Sequence, residues 1–188
     1  MKKFLAILLV LALALTGMAL AEAAPEESGV VLYTSDLGYT MGLPDESWFN
    51  LNAETYAQYA DDPAFSTIFS VFNISETNIE EVTASMDYFY TTDSGANINV
   101  QVQPAISDED YEIALSLLQP MYEQMGATDY AEGQIAIGDW TYDGCEYTLL
   151  GQWQTQLYLR TESATYILSF GQVDSQTIVE LLTPATFA

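Results

Sequence analysis

The chain has 188 residues, 27 of them acidic and only 3 of them Lys or Arg, giving a formal charge of −24 at pH 7 with no histidine at all. So acidic a surface repels phosphate backbones and anionic lipid headgroups, which argues against nucleic acid as a partner and leaves an unknown protein or small ligand, a cationic one included. With 49% apolar residues, 13 Tyr and 8 Phe, the chain has ample material for a packed core, unlike an acidic disordered tail.

The first residues have the layout of an export signal. Met1-Lys2-Lys3 is a positive start, Phe4 to Leu15 is an apolar run too short to span a bilayer, and Ala19-Leu20-Ala21 is a small-residue cleavage pattern, with Ala21-Glu22-Ala23 as an alternative. The expected division is a signal peptide over 1–21, a flexible lead over 22–29 and a single α+β domain over 30–188. No Cys ends the apolar run, so no lipid anchor is expected, and no stable membrane anchor after cleavage. The protein reads as secreted or extracytoplasmic, with a bacterial type of signal. All the acids lie at or beyond Glu22, so a chain cut there keeps Arg160 as its sole cation. Cys145 stands alone, which excludes an internal disulfide and predicts a buried thiol.

In chain order, Val30–Thr34 and Gly38–Leu43 predict a hairpin, with Tyr39, Met41 and Leu43 alternating onto one face. Asn52–Ala60 predicts a short helix. Asp62-Pro63 opens a second, in which Phe65, Ile68, Phe69 and Phe72 form a stripe. Ser75 is placed to cap a third over Glu76–Ser85. Asp87–Thr91 and Ile98–Gln103 predict paired strands around a turn at Asp93-Ser94-Gly95. Ile98, Val100 and Val102 would be buried, and Asn97, Asn99, Gln101 and Gln103 would take a wetter face.

Ser107, three residues before Asp110, predicts an acidic capping box for a helix carrying Tyr111, Ala114, Leu115, Leu118, Met121, Tyr122 and Met125 on one stripe. Pro120 should kink or split it near Leu118-Gln119, and Gly126 should end it. Strands over Gln134–Ile137, Gly144–Leu150, Gln154–Thr161 and Ala164–Phe170 predict a meander. Asp174 or Ser175 then caps a closing helix with Ile178, Leu181 and Leu182 buried, and Phe187 tucks back onto the sheet. The fold class is α+β, a largely antiparallel sheet packed by helices and ending in a β-meander and C-terminal helix.

Tyr39-Thr40-Met41-Gly42-Leu43-Pro44 followed by Trp48, with a later helix, meander and closing helix before Phe187, resembles the PsbP-like α/β/α sandwich fold over Val30 to Phe187. Pro44 to Trp48 is one residue longer than the family's usual Pro-x-x-Trp, and the helices between Asp62 and Ser85 look inserted. The resemblance implies an accessory or binding role without catalysis, shared with small exported bacterial members of unknown role, and carries over no site residue.

The residues themselves narrow the chemistry. Without His, and without Lys after cleavage, the chain has no Ser-His-Asp or Cys-His pair, no lysine Schiff base, no P-loop and no histidine-zinc site. Asp93-Ser94-Gly95-Ala96 matches the aspartic-protease loop. It stands once, however, is preceded by Thr91-Thr92 instead of an apolar triplet, and is ordinary turn chemistry. Asp108-Glu109-Asp110 and Asp61-Asp62 sit at helix starts and lack a spaced calcium loop. Arg160 is read as an ion pair with a neighbour such as Glu162, or else as an anchor for an anionic ligand. Trp48, Trp140 and Trp153 are read as core or sheet-face aromatics, or else as a carbohydrate platform.

The sequence therefore describes an exported non-catalytic binding or accessory domain of the bacterial envelope or exterior, with no catalytic, cofactor or metal residues nominated. The alternative is a carboxylate-dependent hydrolase acting on a glycan or peptide, which needs only two acids about 5–10 Å apart.

Overall fold

The computed structural model describes residues 30–59, 75–91 and 96–188. The predicted signal and lead, the Asp62-Pro63 helix with its phenylalanine stripe, Asp61-Asp62 and the Asp93-Ser94-Gly95 turn lie outside these residues.

Two antiparallel sheets carry the fold. Strands β1 (Val31–Ser35) and β2 (Tyr39–Leu43) form the predicted hairpin, and β10 (Thr186–Phe187) joins it in the order β1-β2-β10. The larger sheet runs β3-β4-β5-β9-β8-β7-β6, built from β3 (Phe49–Asn50), β4 (Met86–Tyr90), β5 (Asn97–Pro104), β6 (Thr128–Ile137), β7 (Trp140–Leu149), β8 (Gln152–Arg160) and β9 (Ala164–Gly171). The last four are the expected meander, and β9 returns to pair with β5, closing Val100 against Leu168.

Helices cover both faces. On the first, α5 (Ser175–Leu182) and the small sheet cover Phe89, Ile98, Val100, Leu157, Tyr166, Leu168 and Phe170. Asp174 caps α5 by accepting from the Thr177 amide at 2.9 Å, Ile178, Leu181 and Leu182 point inward, and Phe187 packs at its predicted place. On the second face, α3 (Asp108–Ser116) and α4 (Leu118–Gln124) press Tyr111, Leu118 and Tyr122 onto Cys145, Tyr147, Tyr158 and Ile167. The Ser107 hydroxyl accepts from the Asp110 amide and donates to the Asp110 carboxylate, a local variant of the capping box. Pro120 splits the helix at Leu117, one residue before the expected point, because it lacks the donor for Ser116 and crowds that carbonyl. Gly126 ends α4 at φ +88. A third cluster, Leu51, Ile79, Met86, Tyr88 and Tyr90, packs with α1 (Ala53–Tyr59) and α2 (Ile79–Thr83) beside β3 and β4.

Three expectations change. The helix placed over Glu76–Ser85 is shorter: Ser75 and Asn78 close a turn on each other, and only Ile79–Thr83 is helical. The polar face of β5 is not wet, since Asn97, Asn99, Gln101 and Gln103 are all buried between the second and third clusters. Alternation tells the two faces of a strand apart but cannot say that both are covered. Finally, β6 starts at Thr128, six residues before the predicted Gln134. Its residues show little alternation because nearly all of them face solvent, and that exposure marks the functional edge.

Candidate functional site

Strand β6 is the last strand of the larger sheet, so its outer edge meets no other strand among the described residues. Ala131 through Ala136 are all exposed. The strand joins β7 through Gly138-Asp139, with Ile137 opposite Trp140 and Gly138 at φ +59, the position that a type II′ hairpin reserves for glycine. A side chain there would also meet the Thr183 carbonyl at 2.8 Å. The turn closes on the Ile137 carbonyl and the Trp140 amide, and antiparallel bonding then alternates. Counting back by twos, the N–H and C=O groups of Ala136, Gln134 and Glu132 point away from β7, on the side that no other strand among the described residues takes.

An unpaired edge invites another strand, and proteins usually blunt it with Lys, Pro or a bulge. Here the bulge lies at one end, between Thr128 and Ala131, where Asp129 takes φ +57. The run from Ala131 to Ile137 has neither Lys nor Pro, and Glu132 is its only charge.

A cleft lies on each face of this edge. On the first face a cleft of about 220 Å³ has Gly133, Gly144 and Leu157 at its base and Ile135, Ile178 and Val179 along its sides. Its base is bare because Gly133 pairs with Gly144 across the strands, and a side chain at Gly133 would meet nothing within 4 Å. Ile135 and Val179 are 42% and 40% exposed, so the cleft is open and mainly apolar, with Glu146, Thr155 and Ser175 also in its lining. On the second face a cleft of about 320 Å³ between α3 and the β6–β7 ribbon carries Glu112, Glu132 and Asp143. Asp143 is fixed by the Tyr111 hydroxyl at 2.9 Å and the Gln134 amide at 2.7 Å. Burial and this bond to Asp143 push the Tyr111 hydroxyl up, so it stays a donor to Asp143. The arrangement offers backbone groups along a line, a mainly apolar slot with Glu146 in its lining on one side, and the Glu112, Glu132 and Asp143 carboxylates on the other.

Under the same sheet lies a tyrosine and amide layer. Gln156 accepts from the Tyr122 and Tyr158 hydroxyls and donates to Ser169 at 2.7 Å, and the Tyr122 and Tyr147 rings stack at 4.1 Å. Cys145 is buried here as expected. Burial, with Glu132 and Glu146 nearby, pushes its thiol up to about 12 against the opposing bond from Tyr130, so at neutral pH it is an inert thiol.

The other residues singled out in the sequence come together elsewhere or not at all. Arg160 pairs with Asp108 instead of Glu162, donates to the Ile106 carbonyl at 3.3 Å and stands 5.6 Å from the Tyr111 ring. It ties the start of α3 to β8. Asp108, Glu109 and Asp110 fill the first turn of α3, and among the described residues no group of three or more acids or Cys could hold a metal ion. Trp140 donates to the Ala185 carbonyl and packs on Phe187, while Trp153 pairs with Thr148 near the far end of β7. Eight residues of strand separate them, roughly 27 Å, so these two share no platform. Missing from the sequence reading were Asp143, Glu112 and the β6 edge, for which the nearest signal was the Gly133-Gln134 and Gly144 pattern without Lys or Pro. Asp87, the buried carboxylate among the described residues, was read only as part of a strand.

No protein-family model and no curated protein matches the chain. Among solved structures it is similar to a crystal structure from Bacteroides thetaiotaomicron at 12% identity and a TM-score of 0.47, covering 86% of this chain and 49% of that one. The chain thus spans about half the length of that protein. It is also similar to the solution structure of cyanobacterial PsbP (CyanoP) from Synechocystis at 10% identity and a TM-score of 0.47, covering 89% of this chain and 98% of that one. The second of these is a weak resemblance to the PsbP-like fold.

Proposed function

We propose that the protein is an exported, non-catalytic binding module that takes up an extended segment of a partner chain along the outer edge of β6. The observation that carries this is the run of Glu132, Gln134 and Ala136 backbone groups, which no strand among the described residues pairs, between two clefts of different chemistry. Strand addition uses such an edge for affinity and the flanking pockets for selectivity. Export rests on the residues up to Ala21, and a mature N-terminus at Glu22, read by mass spectrometry, is its test. No helix among the described residues is long and apolar enough to cross a membrane.

A hydrolase working through paired carboxylates finds less support. Asp87 is buried, but it faces the small sheet and accepts from Ser35, Tyr39, Tyr33 and Asn50. Of the cleft acids, Glu112 and Glu132 are exposed, and Asp143 and Glu146 are half-buried and line different clefts.

Panning a displayed library of extended peptides on the folded protein tests the docking edge. Ala136→Pro removes one outward N–H while sparing the β6–β7 ladder, since proline is tolerated on an edge with its nitrogen facing solvent. Enriched peptides should bind the wild type and lose the Ala136→Pro variant. Peptides held equally by both would contradict docking at β6.

A further inference from the structure

We propose, building on β6 as a docking edge, that the segment it takes alternates basic and apolar residues. A strand laid beside β6 continues the pleat, so its side chains point in turn to the first and second faces of the sheet. Those facing the first enter the apolar slot over Gly133, beside Ile135 and Val179. Those facing the second enter the cleft with Glu112, Glu132 and Asp143.

The two clefts share Glu132, Gly133, Gln134 and Gly144, so they are opposite sides of one stretch of ribbon. Neighbouring residues of a single strand would therefore meet both. The partner's period of two follows from this, and its sign follows from charge. The chain carries −24 overall, and Glu132 is the charge on the edge itself. A second copy of this chain would bring acid to acid, which is why a basic segment is favoured over self-pairing.

The test uses three labelled peptides of about seven residues, roughly the length of the exposed run. One alternates Lys and Val, one carries the same residues in two blocks, and one alternates Glu and Val. Binding to the whole protein is read by fluorescence anisotropy, with sedimentation of the protein alone alongside. The alternating Lys-Val peptide should bind at least about tenfold more tightly than the other two. Gly133→Leu should fill the apolar slot, and Glu112→Gln with Asp143→Asn should remove two of the three carboxylates of the acidic one. Each should weaken that peptide several-fold, provided the melting curve stays cooperative.

Equal binding of the block peptide would reduce the effect to bulk charge and overturn the alternation. Tighter binding of the Glu-Val peptide would overturn the sign. A peptide of another pattern that binds wild type but not Ala136→Pro would leave the docking edge standing and sink this inference alone. A dimer of the protein alone that Ala136→Pro disperses would make β6 a self-interface and overturn both.

Discussion

The Tyr39 hydroxyl of the small sheet donates to Asp87 Oδ2 of the large sheet at 2.7 Å, and this bond is the centre of the joint between them. Ser35 donates to the same oxygen, while Asn50 at 2.6 Å and Tyr33 at 3.4 Å donate to Oδ1. A carboxylate closed off by hydroxyls and an amide, away from the clefts, is a fastening. Asp87→Ala leaves buried donors without an acceptor and should cost roughly 3 kcal/mol or more, whereas Tyr39→Phe should cost about 1.5–3 kcal/mol. Urea unfolding midpoints check both. Equal stability in Asp87→Ala would mean that the small sheet is held by its apolar contacts alone.

Tyrosines supply a pH dependence with a definite sign. Burial holds the Tyr122 and Tyr158 hydroxyls well above their ordinary value of 10.0, and the Cys145 thiol goes from 9.0 to about 12. In alkali the unfolded chain loses these protons first, so it binds fewer protons than the native state and stability falls as pH rises. The Cys145 share is present below about pH 9 and fades toward about 12, and the tyrosine share fades from about 10 upward. Melting temperature against pH should therefore be flat near neutrality and drop beyond pH 9. A thiol reagent should label Cys145 at neutral pH only after denaturant is added.

The buried amide layer predicts a gain on simplification. Gln154 is 1% exposed, and neither its Nε2 nor its Oε1 has a hydrogen-bond partner among the described residues. Gln154→Leu removes that desolvation and should stabilise the protein by about 1 kcal/mol, a melting shift of roughly 2–4 °C. A loss of stability would mean that water or a flipped amide satisfies Gln154 in solution.

The hairpin tip between β7 and β8 predicts another. Leu150 at φ +53 and Gly151 at φ +80 form a two-residue turn closed by Leu149 and Gln152, and Leu150 is 72% exposed. A leucine with its backbone left-handed and its side chain in water gains nothing from either. Leu150→Asn suits the type I′ turn and should stabilise by about 1 kcal/mol, measured as a higher melting temperature.

How much of this was legible in the sequence depended on what each residue's neighbours were. Caps and stripes are local, so the Asp174 cap, the inward Ile178, Leu181 and Leu182, the break before Pro120 and the burial of Tyr39, Met41 and Leu43 could all be read along the chain. Pairings between distant segments could not. Nothing near Arg160 in sequence points to Asp108, and nothing near Asp87 points to Ser35 and Tyr39. The docking edge escaped for a further reason. A strand whose side chains face solvent carries no hydrophobic period, so the predicted strand begins only at Gln134, and the bare slot exists only because Gly133 and Gly144 fall opposite one another.

Amide hydrogen exchange along β6, with and without the alternating Lys-Val peptide, tests docking most directly. In the free protein the amides of Glu132, Gln134 and Ala136 should exchange fast, while those of Gly133 and Ile135, bonded to β7, are protected. With the peptide bound, the three outward amides should slow by about tenfold or more and the inward ones should change little. Bound peptide with Glu132, Gln134 and Ala136 still exchanging fast, and protection gained elsewhere, would contradict strand addition at this edge.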